Sequence, residues 1–80
     1  MINFELKQQI IESETDFEED GVDKIRTVIS VFIGLAEDKE NKFPALKEQV
    51  VVINLNSQTG EEMDNQRDKE IADFVANYKL

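Results

Sequence analysis

The sequence contains no cysteine and no histidine. Without cysteine there is no disulfide framework, no thiolate nucleophile and no sulfur-ligated zinc site, and without histidine there is no imidazole ligand or general base. The residue types behind most catalytic mechanisms are missing, so the expectation is a protein that is not an enzyme, with no cofactor and no dedicated metal. Positive charge is also scarce: 9 Lys plus Arg stand against 18 Asp plus Glu, a formal net charge of −9. Such a surface repels nucleic acid and anionic membrane and attracts basic partners. No apolar run approaches the roughly 18 residues of a membrane span. The segment Met1-Ile2-Asn3-Phe4-Glu5 has no charged stretch leading into an apolar one, as a secretory signal would. No Asn-x-Ser/Thr acceptor site occurs either. A reducing, cytoplasmic compartment is the expectation.

What is present is enough for one domain over residues 1–80. A chain of this size buries only about 60–65% of the surface its unfolded form exposes, so the core is small. Hydrophobic residues make up 40% and fall in patterned runs, which argues for a folded chain rather than an acidic tail. From Ile2 to Ile10, apolar Ile2, Phe4, Leu6 and Ile10 alternate with polar residues, Gln8 being the one interruption, and the period is that of a half-buried strand. Residues 24–36 fit two patterns. Ile25, Thr27, Ile29, Val31, Ile33 and Leu35 would share a strand face, whereas Ile25, Val28, Ile29, Phe32, Ile33 and Ala36 match a helical stripe that Asp23 could cap. The β-branched side chains of Ile25, Thr27, Val28, Ile29, Val31 and Ile33 favour the strand, because they lose χ1 freedom in a helix and pack well on a pleat.

Val50 to Leu55 predicts a third strand, closed by the turn-forming run Asn56-Ser57-Gln58-Thr59-Gly60. Thr59-Gly60-Glu61-Glu62 then has the form of a helix capping box, with Ile71, Phe74, Val75 and Tyr78 as the apolar stripe, Met63 and the Arg67 stem extending it weakly, and Lys79 near the far end. Between the second and third strands, Phe43-Pro44-Ala45-Leu46 is expected to tuck two apolar side chains against the core. The assembled expectation is α+β: a small antiparallel three-stranded sheet with a C-terminal helix packed on one face. One helix covers one face, so Val28, Phe32 and one alternating set of Val50 to Leu55 must lie on the other. A contiguous apolar patch there marks an interface, covered either by another copy, in a homodimer through Val28 and Phe32, or by a partner.

The strongest local feature is acidic. Between residues 12 and 23 stand Glu12, Glu14, Asp16, Glu18, Glu19, Asp20 and Asp23, with no positive charge among them. Glu12, Glu14, Asp16, Glu18 and Asp20 alternate, so an extended backbone would set them along one side at a repeat of roughly 6.5 Å. That spacing is comparable to successive phosphates of a nucleic acid strand, and a groove lined with Lys and Arg would accept carboxylates placed similarly. The plainer alternative is a solvated edge that keeps strands from aggregating. Glu61, Glu62, Asp64 and Asp68 form a second acidic group, for which matching the helix dipole is the plainer reading. Phe17, the one large side chain inside the run, reads either as an anchor for a partner pocket or as packing at the sheet's edge.

Asp16-Phe17-Glu18-Glu19-Asp20-Gly21 also resembles the opening of an EF-hand calcium loop, but only over six residues. Thr27 stands where the bidentate Glu belongs and no helix evidently precedes it. In size, charge and lack of catalytic residues the chain is similar to the small acidic nucleic-acid mimics encoded by phages and mobile elements. That similarity is compositional and no motif carries it. It implies a non-enzymatic inhibitor that occupies the basic DNA- or RNA-binding surface of a partner protein, without itself binding nucleic acid or membrane. The candidate contact residues are Glu12, Glu14, Asp16, Phe17, Glu18, Glu19, Asp20, Asp23, Glu61, Glu62 and Asp64. The alternatives are a structural or assembly subunit that oligomerises through its apolar sheet face, and a weak divalent-cation-binding module.

Overall fold

The computed structural model describes residues 2–79, so Met1 and Leu80 lie outside the described residues. The chain runs β1 (Phe4–Glu19), β2 (Val22–Leu35), β3 (Leu46–Leu55) and α1 (Gly60–Ala76). The strands form one antiparallel sheet in the order β1-β2-β3, the α+β arrangement expected from the sequence. Residues 24–36 resolve as strand over nearly their whole length, in keeping with their β-branched content. A central strand needs partners on both sides, and β2 has them.

Paired residues of an antiparallel sheet share a face and neighbours along a strand alternate. Ile25, Thr27, Ile29, Val31 and Ile33 of β2 therefore lie on one side with Val50, Val52 and Asn54 of β3. The helix covers this side, and Ile29, Val31, Ile33, Val50, Val52, Ile71 and Val75 form the buried core. Burying each such side chain contributes roughly 1.5–3 kcal/mol. Phe74 and Tyr78 are half-buried against the core, and the Tyr78 ring meets Phe4 edge-on with centroids 5.3 Å apart. Tyr78 belongs to the predicted stripe but lies beyond the helix, which stops at the cap residue Asn77. The last turn holds no basic residue, and Lys79 stands near the far end, two residues past the cap.

The start of α1 follows the predicted capping box. Glu62 N–H donates to Thr59 Oγ1 at 3.2 Å, and Thr59 N–H donates to Glu62 Oε1 at 2.9 Å. That hydrogen bond holds the Glu62 carboxyl below its ordinary value. A half-buried amide network around buried Asn54 then fixes the helix over the end of β3. Asn54 Nδ2 donates to Gln66 Oε1 at 2.9 Å and to Gln58 Oε1 at 3.2 Å, while Gln66 Nε2 donates to the Ile53 carbonyl at 2.8 Å and to Glu70 at 2.9 Å.

Three expectations are corrected. β1 does not end near Ile10 but continues through the acidic run to Glu19, and β3 begins at Leu46 rather than Val50. Phe43 and Leu46 do not tuck inward: they are 68% and 44% exposed. Instead Asp38 organises that connection, its two carboxylate oxygens accepting the Lys42 and Phe43 N–H groups at 2.9 Å each. Finally, Ile10 does not share a face with Phe4 and Leu6. Register shifts between Leu6 and Gln8, and again between Ile11 and Ser13, insert an extra residue each time. Each bulge inverts the alternation. Gln8 thus pairs with Phe32 and Ile10 with Ser30, on the side away from the helix.

Candidate functional site

The acidic run is the second half of β1, paired residue for residue with β2 from Ser13↔Val28 to Glu19↔Val22. Asp20 and Gly21 close the hairpin with φ of 52° and 77°. Two successive positive φ values are what a type I′ turn requires, and Asp-Gly is a favoured pair for it. This backbone is a tight reversal rather than the opening of an ion-binding loop. Among the described residues no group of three or more Asp, Glu, His or Cys is placed to hold a metal ion.

The expected row of five carboxylates is shortened to three. Glu12 is the extra residue of the second bulge and Asp20 sits in the turn, so neither keeps the alternation. Glu14, Asp16 and Glu18 pair with Thr27, Ile25 and Asp23 and share the helix-bearing face, all three exposed. Glu18 and Asp23 stand directly opposite each other, a like-charge pair that costs the hairpin stability. Phe17 and Glu19 point the other way. Phe17 pairs with Lys24 and is half-buried, so it is separated from the carboxylate row by the thickness of the sheet. Glu19 Oε1 accepts from Lys24 Nζ at 2.8 Å, and that bond lowers its carboxyl from the ordinary value.

The fold brings the second acidic group to the first. Glu14 of β1 and Asp64 of α1 line one small cavity of about 100 Å³, together with Thr27, Asn54, Met63 and Arg67. Arg67 is held by carboxylates of its own helix: its Nη2 is 3.0 Å from Asp64 and its Nε 3.9 Å from Asp68. Glu61 and Glu62 are exposed in the adjoining first turn, where the helix dipole favours anions. One end of the helix-bearing face is therefore lined by carboxylates from two segments far apart in sequence.

Among the described residues no element covers the opposite face of the sheet, and it is bare. Val28 and Phe32 are half-buried there, and Ile10, Val51, Ile53 and Leu55 are 41–46% exposed. Its charges differ in kind as well. By register Lys24, Arg26 and Lys47 stand on this side, and Lys7 joins them by lying across Gly34. Glu5 and Glu19 share it but are held in ion pairs at 2.8 Å with Lys7 and Lys24. The sequence pattern did not announce this segregation, since the cations are scattered from residue 7 to residue 47 and meet only through strand pairing. A third feature is a groove of about 470 Å³ between α1 and the start of β1, lined by Phe4, Leu6, Gln9, Ile71, Ala72 and Val75.

No helix among the described residues is long and apolar enough to cross a membrane. No known protein family, no curated protein and no solved structure matches the chain, so the residues and their arrangement are the whole basis for a functional reading.

Proposed function

We propose that the chain is a non-enzymatic acidic interaction protein whose helix-bearing face occupies the basic nucleic-acid-binding surface of a partner protein. The observation that carries this reading is the convergence of Glu14, Asp16 and Glu18 with Asp64 and the first turn of α1 on one end of one face. Alternate strand residues are roughly 6.5 Å apart, a spacing close to that of phosphates along a strand. Carboxylates already held on a paired strand lose little conformational freedom when a Lys- or Arg-lined groove closes on them. The chain's net charge of −9 would speed the encounter.

Capture on the immobilised chain from a lysate at low salt, with mass spectrometry, tests the proposal. Nucleic-acid-binding proteins that are displaced by added DNA or RNA support it. Recovery only of the chain itself, or of assembly components indifferent to nucleic acid, favours the second reading, a structural or assembly subunit, which the bare apolar face supports. A matched pair of variants assigns the surface. Asp16→Asn with Glu18→Gln should slow association strongly, whereas Glu37→Gln with Glu40→Gln removes the same charge from the β2–β3 connection and should leave it nearly unchanged.

A further inference from the structure

We infer that the bare face of the sheet is the seat of a second copy of this chain, stacked face to face so that both helices lie outside and the two acidic faces point away from each other. This inference is independent of what the acidic face binds.

The face joins an apolar cluster to a set of cations, Lys24, Arg26 and Lys47. Ile10, Val28, Phe32, Val51, Ile53 and Leu55 come from all three strands and lie side by side by register: Ile10 and Gln49 flank Ser30, Val51 opposes Val28, and Ile53 opposes Arg26. Ser30 at their centre is already buried although no element covers it. A second sheet stacked on this one, with its mean strand direction within about 30°, would close the remaining surface as in a β-sandwich.

The area suffices. β2 and β3 pair from Lys24↔Leu55 to Ile33↔Leu46, which at about 3.4 Å per residue gives a face about 33 Å long, and three strands at about 4.8 Å make it about 14 Å wide. Side chains standing off that footprint of about 450 Å² expose more than its flat area. Two copies together therefore reach the roughly 1,000 Å² that a specific interface must clear.

Charge placement selects this surface and this occupant. A net charge of −9 opposes self-association wherever carboxylates face each other. On the bare face they do not, because Glu5 and Glu19 are held in ion pairs with Lys7 and Lys24, and Arg26 and Lys47 add positive charge beside them. Stacked sheets lie about 10 Å apart, and Glu14, Asp16 and Glu18 sit on the outer side of each. The two acidic rows are then separated by more than the Debye length of about 8 Å at physiological salt, so their repulsion is largely screened. A twofold axis closes the assembly at two copies.

Sedimentation of the full chain over micromolar to millimolar concentration tests this. A reversible species of twice 9.2 kDa that tightens as salt rises is the expected result, and a monomer at every concentration and salt overturns the proposal. Ile10→Lys and Ile53→Lys change side chains that are exposed in the single chain, so circular dichroism should be unchanged while each weakens the dimer by roughly thirtyfold or more. A dimer that responds to Ile53→Lys but not to Ile10→Lys pairs through the β3 edge instead, and one that responds only to Leu6→Glu uses the groove beside α1. Either result overturns the stacked arrangement. Should a lysine variant lose its fold, Ile10→Thr and Ile53→Thr keep the β-branched side chain and give the same readout.

Discussion

The two faces of this sheet are built from the same strands in alternation, yet they differ in almost every physical respect. The helix-bearing face is sealed at its centre by Ile71 and Val75 and lined at one end by Glu14, Asp16, Glu18 and Asp64. The opposite face is covered by no element among the described residues, carries apolar side chains from all three strands, and holds Glu5 and Glu19 in ion pairs beside an excess of cations. The difference teaches that burial and charge were sorted together: the side closed within the chain is the one that carries the repelling charge outward. Adjacent residues make the contrast testable, since Val52 is fully buried and Val51 is 46% exposed on the other side of the same strand.

The largest effect should come from breaking the closed face alone. Ile29→Ala removes a side chain from the sealed core and should cost about 2–5 kcal/mol in denaturant unfolding. Val51→Ala on the bare face should cost under about 1 kcal/mol at protein concentrations where the chain is monomeric. Equal losses would show that both faces are interior even in the single chain.

Next in size is the amide network that ties the helix to the closed face. Asn54→Ala removes the donor shared by Gln58 and Gln66, each of which keeps one other donor, the Leu55 N–H and Gln58 Nε2, and should cost about 1–2 kcal/mol. Hydrogen exchange at the first turns of α1 should accelerate more than exchange in β2. Smaller again, Thr59→Ala removes the helix cap at about 1 kcal/mol. Gly21→Ala forces a side chain into a φ of 77° and should cost about 1–2 kcal/mol through the hairpin that presents the carboxylates.

The pH dependence has a defined sign. Glu62 and Asp38 are lowered from 4.5 and 3.8 by backbone N–H donors, Thr59 for the first, Phe43 and then Lys42 for the second. Their contribution is present above those ordinary values and is lost as pH falls through the lowered ones. Tyr78 is raised from 10.0, first by desolvation and then by donating to Glu48 at 3.1 Å. Its contribution is full below pH 10 and is lost as pH rises through the raised value. Thermal melts from pH 2 to 11 should show both edges, and Tyr78→Phe should remove only the alkaline one. The smallest expected effect belongs to Asp16→Asn with Glu18→Gln, which relieves the Glu18–Asp23 repulsion and should leave the fold unchanged or more stable by a few tenths of a kcal/mol.

Much of the scaffold was legible because short-range chemistry dictates it. The β-branched content of residues 24–33, the Val-rich run at 50–53 and the Thr59–Glu62 capping box each name their own local structure. The acidic half of β1 was not legible as strand, because Asp and Glu have low strand preference and only pairing with β2 holds them extended. The sequence did carry a trace of the first bulge, in the Gln8 interruption. A run of alternating carboxylates holds no sign of the second, which displaces Glu12.

By itself, then, the sequence determined the element types outside the acidic run, the absence of thiol and imidazole chemistry, and the negative charge, since each depends on residue identity or on neighbours within a turn. Only the tertiary structure decided which carboxylates stand together. Glu14 meets the environment of Asp64 because α1 crosses the sheet and packs against both β3 and β1. It also decided that Lys7, Lys24, Arg26 and Lys47 share a face, because strand register and two bulges set which way each side chain points. Register depends on pairings between residues tens of positions apart, and a one-residue slip exchanges the two faces entirely.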